Sequence, residues 1–170
     1  MNKVKLTAFA FFTCGALITS TATAQDTPIV GNVESKCSIF TDREGVYGNP
    51  TPDKLTTASG DGGVKPRVRY DIIQGGYYEA RIGYPDSFSS SPSLVDSVTW
   101  SGVTEVAEVS DTAMSDYETD KIEYNNITEF DLHTAGTVWF DISSNAVYGV
   151  GKSFPSGSYT AMVTAECIAK

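Results

Sequence analysis

Two cysteines carry the clearest chemistry in this sequence. Cys37 lies in the alternating run GNVESKCSIF, on the same face as Val33 and Ile39, and Cys167 lies in the C-terminal run GSYTAMVTAECIAK. Both thiols are in phase with the apolar side of a predicted strand. A metal site or a reactive thiol is disfavoured because the sulfurs face inward and no histidine accompanies them. We therefore predict a Cys37–Cys167 disulfide that links the first strand to the last.

The N-terminus predicts the oxidising compartment in which such a disulfide forms. Two lysines, the apolar run of residues 6–18 and Ala22-Thr23-Ala24 have the three-part layout of a secretory signal peptide. We expect residues 1–24 to be removed, which leaves residues 25–170 as a single domain. No later stretch approaches the roughly 20 apolar residues of a transmembrane helix. The protein is therefore expected to be secreted, periplasmic or held at the cell surface.

The exported chain is strongly acidic. The signal segment holds two of the twelve Lys and Arg residues and none of the twenty-one Asp and Glu residues, so removing it leaves a net charge of −11. Such a surface repels nucleic acid and anionic membranes. We therefore expect no nucleic-acid partner, and an acidic, solvated exterior.

No catalytic group of residues is recognisable. His133 is the only histidine, so a Ser-His-Asp triad or a Cys-His pair would depend on it, yet it lies in a predicted turn, LHTAG. Typical zinc sites also need several His or Cys ligands. We predict that the protein is not an enzyme and uses no cofactor.

Three acidic residues have a spacing that could suit calcium. Asp116, Glu118 and Asp120 would share one face of an extended strand, where their carboxylates would supply the hard oxygen ligands that Ca²⁺ prefers. No EF-hand loop matches, and a solvated acidic edge explains the same spacing more simply. These residues are weak metal candidates only.

Aromatic residues are the best candidates for contact with a ligand or a partner. Trp139 lies on the strand face opposite Val138, Phe140 and Ile142, so we expect it to be partly exposed. Tyr77 is a second candidate, as one of the aromatic residues that could form a platform on which a sugar stacks. Strand packing is the simpler explanation for both side chains.

Short alternating runs separated by turn residues predict the fold. We expect a hairpin at residues 67–82, a second hairpin around Asn125-Asn126, and a long surface connection at residues 41–63. Turns are also expected at Ser101-Gly102 and at residues 143–145. The pattern predicts an all-β, antiparallel, immunoglobulin-like β-sandwich of about seven to nine strands.

The two ends of this sandwich resemble a known family. The run G-x-V-x-x-x-C-x-I at residues 31–39, together with residues 157–161 leading into an alternating last strand, resembles fimbrial subunits of the chaperone-usher class. The resemblance implies an incomplete sandwich that a neighbour's N-terminal extension completes. Residues 25–33 would then be the donor segment, with Ile29, Gly31 and Val33 as the donor residues. In that family the first-strand cysteine usually pairs with one on the following strand, whereas its partner here is Cys167.

Two functions follow from these observations. The first is an exported, non-enzymatic structural or adhesive protein, a fimbria-like surface or matrix subunit whose partners are copies of itself or other surface subunits. The alternative is a secreted β-sandwich module that binds carbohydrate or calcium. An unfilled groove between the terminal strands would favour the first function.

Overall fold

The structure is a computed structural model that describes residues 28–30 and 37–170. The chain divides into two units, residues 1–33 and 34–170, and each is described by itself. Residues 28–30 of the first unit lie in no strand or helix. The predicted signal peptide and the donor residues Gly31 and Val33 fall outside the described residues.

Residues 37–170 form short antiparallel strands with little helix. The strands are β1 (Cys37–Arg43), β2 (Gly48–Thr51), β3 (Lys54–Thr56), β4 (Arg67–Ile72), β5 (Tyr78–Gly83), β6 (Phe88–Ser90), β7 (Val98–Val109), β8 (Ile122–Tyr124), β9 (Ile127–Leu132), β10 (Gly136–Tyr148), β11 (Thr160–Ala161) and β12 (Thr164–Ala169). One α-helical turn, α1 (Tyr117–Asp120), and two 3₁₀ turns, Ser59–Asp61 and Thr112–Met114, complete the described elements.

Two main sheets form a sandwich, as the alternating pattern predicts. The first sheet has the order β1-β4-β10-β3-β2, and β7 pairs with β10 as well. The second sheet has the order β12-β5-β9-β8, and β11 and β6 form a small third sheet. Every pairing between these strands is antiparallel. The predicted all-β antiparallel sandwich is confirmed.

The core lies between the inner faces of the two main sheets. Phe140 of β10 is fully buried, and its ring centroid lies 4.4 Å from that of Phe130 on β9 and 5.5 Å from that of Tyr70 on β4. Val138 and Ile142, which share a face with Phe140, are also fully buried. The alternation at residues 138–142 therefore predicts the buried face correctly.

The predicted disulfide joins the first described strand to the last. Cys37 on β1 and Cys167 on β12 are bonded, with their Cα atoms 6.4 Å apart. The two strands belong to different sheets, so the bond crosses the edge of the sandwich rather than linking hydrogen-bonded neighbours. It closes a loop of 131 residues, for which chain entropy allows at most about 5 kcal/mol of stabilisation.

The predicted hairpin at residues 67–82 is wrong. Its two arms are strands β4 and β5, but they lie in different sheets, and Gly76 turns the chain between them with a φ of 81°. Turn residues mark where a chain changes direction, whereas the choice of partner strand depends on distant pairings. The second hairpin is confirmed, because β8 and β9 pair around Asn125, whose φ is 55°.

Both turns predicted inside the long strands are also wrong. Strand β7 continues through Gly102, because β10 and Tyr84 approach the backbone closely there: a Cβ atom at this glycine would lie 2.4 Å from the carbonyl oxygen of Ser143. Strand β10 continues through residues 143–145, because a neighbouring segment forms hydrogen bonds with the polar groups there. For example, the backbone N–H of Ser144 donates to Thr57 Oγ1 over 2.9 Å.

Two further segments differ from the sequence expectation. The connection at residues 41–63 contains the end of β1 and the hairpin formed by β2 and β3. The last strand is interrupted, because β11 pairs with β6 and β12 pairs with β5, and Met162 and Val163 between them belong to neither ladder. These two segments form the walls of the candidate site.

Candidate functional site

The candidate site is a groove at the edge of the sandwich. It has a volume of about 790 Å³ and runs between residues 41–47 on one wall and residues 157–163 on the other. Its apolar lining residues include Val46, Leu55, Pro66, Val68, Ala161 and Val163. We call this cleft the groove.

We call the end of the groove nearer the disulfide its closed end and the other its open end; Cys37 and Cys167 lie four residues along the chain from the nearest lining residues, Thr41 and Val163. At the closed end β1 and β12 are joined by the disulfide, and Tyr70 donates its hydroxyl hydrogen to the carbonyl oxygen of Glu166 over 3.0 Å. Tyr70 is fully buried, and burial raises the pKa of its hydroxyl, so the group remains a neutral donor at physiological pH. The disulfide and this hydrogen bond therefore hold β12 to the first sheet at the closed end.

The floor of the groove is apolar with one polar pair. Leu55 and Val68 are buried there, and both line the cleft. Beside them the hydroxyls of Tyr47 and Ser144 share a hydrogen bond of 2.8 Å. Burial raises the pKa of Tyr47, although the bond to Ser144 opposes the shift. The floor thus suits apolar side chains, with its polar groups already satisfied.

One wall is held to the first sheet by ion pairs. Asp141 of β10 accepts hydrogen bonds from Arg67 Nε over 2.7 Å and from Arg43 Nη2 over 2.9 Å. Burial disfavours the charge on Asp141, but the bond and charge of Arg67, with help from Arg43, outweigh burial and lower the pKa of the carboxyl. The pair fixes the end of β1, which carries Arg43, against the sheet.

The opposite wall is held by a cluster of aromatic rings, which we call the aromatic cluster. Phe88 is at its centre, with ring centroids 4.6 Å from Trp100 and 5.1 Å from Tyr159. Tyr159 precedes β11, so these contacts, together with the β11–β6 ladder, anchor residues 157–163. The remaining members are Tyr47, Tyr148 and Phe154.

Two strands next to the groove have one edge without a ladder partner among the described residues: β1, whose Thr41 and Arg43 line the groove, and β12, which begins directly after Val163. Strand β1 pairs only with β4, and β12 pairs only with β5, within the part of the chain that the structure describes. Between β11 and β12, Met162 is 64% exposed and pairs with no strand. Such edges present backbone N–H and C=O groups to which another strand can bind.

The outer edge of β7 is covered by side chains instead. Glu118 accepts the backbone N–H of Val106 over 2.7 Å, and Lys121 donates to the carbonyl oxygen of Thr104 over 3.1 Å. Glu118 and Lys121 also form an ion pair of 2.6 Å. Burial disfavours the lysine charge, but the bonds to Glu118 and Glu123 outweigh it and raise the pKa of Lys121. The two side chains thus occupy hydrogen-bonding groups that a further strand would use.

The predicted aromatic contacts lie outside the groove. Trp139 is half-buried on the outer face of the first sheet, between Arg69 on β4 and Glu108 on β7. The guanidinium of Arg69 lies 4.6 Å from the ring centroid of Phe40. Tyr77 is 58% exposed and precedes β5, and no contact joins its ring to Trp139 among the contacts of the described residues.

The acidic residues do not line up as an extended strand would place them. Asp116 precedes α1, whereas Glu118 and Asp120 lie within it, so the segment is helical. Asp116 Oδ1 lies 3.1 Å from His133 Nε2, and Glu118 covers β7. No group of three His, Cys, Asp or Glu residues that could hold a metal ion occurs in the described part of the chain.

Sequence reasoning missed most of the groove. Leu55 and Tyr47 lie in a stretch whose composition predicts a surface connection. The only sequence feature that points to their burial is that each is a large apolar or aromatic residue among polar ones. Of the three donor residues, only Ile29 is described, and it is 99% exposed. Alternation correctly placed the two cysteines on the inward faces of their strands, and their disulfide lies beside the closed end of the groove.

Comparison with models of protein families, with curated proteins and with solved structures finds no match to this chain. Among the described residues, no helix has the length and apolar character needed to span a bilayer.

Proposed function

We propose that this protein is an exported, non-enzymatic structural or adhesive subunit of a fimbria-like surface or matrix assembly. In the proposal, the groove of one copy receives a strand from another copy. The observation that supports it most directly is the groove of about 790 Å³, which lies between residues 41–47 and 157–163, next to the unpaired edges of β1 and β12.

The chemistry of the groove suits an added strand. The wall around Met162 and Val163 can supply main-chain hydrogen bonds, whereas Val46 on the other wall already exchanges both of its backbone hydrogen bonds with Val64. The floor at Leu55 and Val68 can bury every second side chain of a guest. A small polar ligand would find few free polar groups on the floor, because Tyr47 and Ser144 already bind each other.

Residues 25–33 are the proposed guest. Ile29, Gly31 and Val33 share one face of an extended segment, and the distance from residue 29 to residue 33 is about 13 Å at 3.3 Å per residue. The wall formed by residues 157–163 would be about 20 Å long if extended, so the segment fits within it. Ile29 is almost fully exposed, which leaves its side chain available for burial elsewhere.

The treatment of the β7 edge supports the choice of the groove. Glu118 and Lys121 hydrogen-bond to the backbone of β7, which blocks strand addition at that edge. Among the described residues, no side chain forms a hydrogen bond with the backbone of Met162 or Val163. Side chains thus block strand addition at the β7 edge, whereas the backbone beside the groove can still accept a strand.

The test is the mass of the exported chain in solution as a function of concentration. We expect the chain of residues 25–170 to assemble as the concentration rises, and the same chain without residues 25–33 to remain monomeric. Light scattering coupled to size-exclusion chromatography measures both, and urea unfolding verifies that the shortened chain stays folded. A monomer at all concentrations, unaffected by the truncation, would contradict the proposal.

A matched pair of point variants removes the need for truncation. Ile29→Asp places a charge on the face that would enter the groove, whereas Val30→Asp places the same charge on the opposite face. We expect only Ile29→Asp to abolish assembly. Equal effects of the two variants would contradict the proposed orientation of the guest strand.

The alternative of a secreted ligand-binding module is favoured by one observation. Trp139 is half-buried on the outer face of the first sheet, beside Arg69 and Glu108 of the neighbouring strands. A partly exposed Trp with polar neighbours is a suitable surface for a sugar ring. Binding to a glycan array that Trp139→Ala abolishes, in a protein that stays monomeric, would favour this alternative.

A further inference from the structure

Resting on the proposed function, we infer that the Cys37–Cys167 disulfide is a stop that fixes how far the guest strand enters the groove, and hence its register. The guest is a segment of a second copy of this chain, and it occupies only the open end of the groove. The closed end admits no strand while the disulfide is intact.

Strand spacing supports this inference. Adjacent hydrogen-bonded strands lie about 4.8 Å apart, so two strands that flank a third must be separated by roughly 9.6 Å. The Cα atoms of Cys37 and Cys167 are only 6.4 Å apart. A guest backbone therefore cannot pass between the two cysteines.

The hydrogen bond beside the disulfide narrows the same end. Tyr70 reaches across from the first sheet to the carbonyl oxygen of Glu166, next to Cys167 in the chain. That carbonyl is therefore already bonded, and the phenol ring fills the space behind it, since Tyr70 is fully buried. Cys37 is also buried, with 7% of its surface exposed. The closed end thus has no space for a guest backbone, and the carbonyl oxygen of Glu166 is not free to accept a hydrogen bond from one.

Beyond the disulfide, the groove lies between the segments that continue these two strands. The groove is bounded by residues 41–47 and 157–163, and no residue of β12 lines it. A guest that enters from the open end can pair along residues 157–163 until it meets the disulfide. A shift by one residue would move every side chain of the guest to the other face, so the apolar floor excludes it. A shift by two residues keeps the same face on the floor, and the covalent stop excludes such a shift towards the disulfide.

Hydrogen exchange measured by mass spectrometry tests the inference on the exported chain, residues 25–170. Exchange is compared between the dilute form and the assembled form. We expect assembly to slow exchange by about tenfold or more in residues 157–163 and 41–47. Residues 166–169 should show no change, because the guest stops before them.

The variant in which Cys37→Ala and Cys167→Ala are combined tests whether the disulfide is the stop. We expect protection in its assembled form to spread into residues 166–169. Tyr70→Phe keeps the disulfide and removes only the hydrogen bond, so its protection should still end before residue 166. If the cysteine-free chain does not fold, the intact chain and Tyr70→Phe still decide whether the guest ends before the disulfide.

The outcomes separate the two proposals. Slowed exchange that extends through residues 166–169 with the disulfide intact would overturn the stop and leave the subunit function in place. The stop is also overturned if the cysteine-free chain folds, assembles and shows unchanged protection. If the chain shows no assembly and no slowed exchange at any concentration, the subunit function fails, and the stop fails with it.

Discussion

Asp141 is the residue that ties the β1 wall of the groove to the rest of the first sheet. It binds Arg67 through both carboxylate oxygens, over 2.7 Å and 3.0 Å, and binds Arg43 over 2.9 Å. Its side chain is only 19% exposed, so solvent screens these charges less than it would on an open surface. The carboxylate thus positions the end of β1 as well as contributing stability.

We predict that Asp141→Asn destabilises the fold by about 1–2 kcal/mol, because two charge-assisted contacts lose their charge. Urea unfolding at neutral pH measures the change. Asp131→Asn is the matched control, since it also removes one carboxylate charge but affects an exposed pair with Lys170. We expect it to change the unfolding free energy by less than about 0.5 kcal/mol. Equal effects of the two substitutions would contradict the role given to Asp141.

The lowered pKa of Asp141 also fixes the sign of a pH effect. The carboxyl has a lower pKa in the folded chain than in the unfolded chain, so the unfolded chain binds the proton first as the pH falls. Its stabilising contribution is present above about pH 4 and is lost as the pH falls through the folded-state pKa. The unfolding free energy of the parent should therefore decline more steeply in acid than that of Asp141→Asn. Parallel pH profiles would contradict this account.

At the scale of elements, the edge of β7 shows how side chains can replace a missing strand. Glu118 and Lys121 come from α1 and the residue after it, and each binds a backbone group of β7. Together they imitate the donor and acceptor of a neighbouring strand. The short helix therefore has a structural role that a calcium-binding interpretation of its acidic residues would miss.

We predict that Glu118→Ala increases self-association through β7, because the backbone N–H of Val106 loses its carboxylate acceptor. The unfolding free energy should fall by about 0.5–1.5 kcal/mol. Glu123→Ala is the control, since Glu123 also pairs with Lys121, over 3.0 Å, and its removal changes the net charge equally. Light scattering during mild heating should show faster aggregation for Glu118→Ala only. Identical rates would show that net charge, and not edge cover, controls aggregation.

The alternation of residues along single strands correctly predicted which face of a strand is buried. It did not predict which strands pair with each other or how long each strand is. The inward positions at Phe140 and at both cysteines follow from a period of two, which is a local property. Gly102 and residues 143–145 look like turns locally, yet the chain stays extended there because neighbouring segments contact them or satisfy their polar groups. A groove is harder still to predict, since it depends on which edges lack a partner after all pairings are made.

At the scale of the whole molecule, the sandwich treats its exposed edges unequally. The β7 edge is covered by Glu118 and Lys121, and the closed end of the terminal edge is bridged by the disulfide. The stretch around Met162 and Val163 pairs with no strand in the described part of the chain and lies beside the apolar floor of the groove. A molecule that blocks association at one edge and leaves a defined length of another open is suited to ordered, end-to-end assembly.

A mixing experiment with two complementary variants tests the central claim most directly. Ala161→Arg blocks the groove and leaves residues 25–33 intact, whereas Ile29→Asp with Val33→Asp disables the segment and leaves the groove intact. Thr99→Arg, on the exposed face of β7, is the control for the added charge. We predict that each complementary variant alone is monomeric, that Thr99→Arg assembles like the parent, and that a mixture of the two complementary variants yields a dimer and nothing larger. A mixture that stays monomeric, or a single complementary variant that assembles like the parent, would contradict the account.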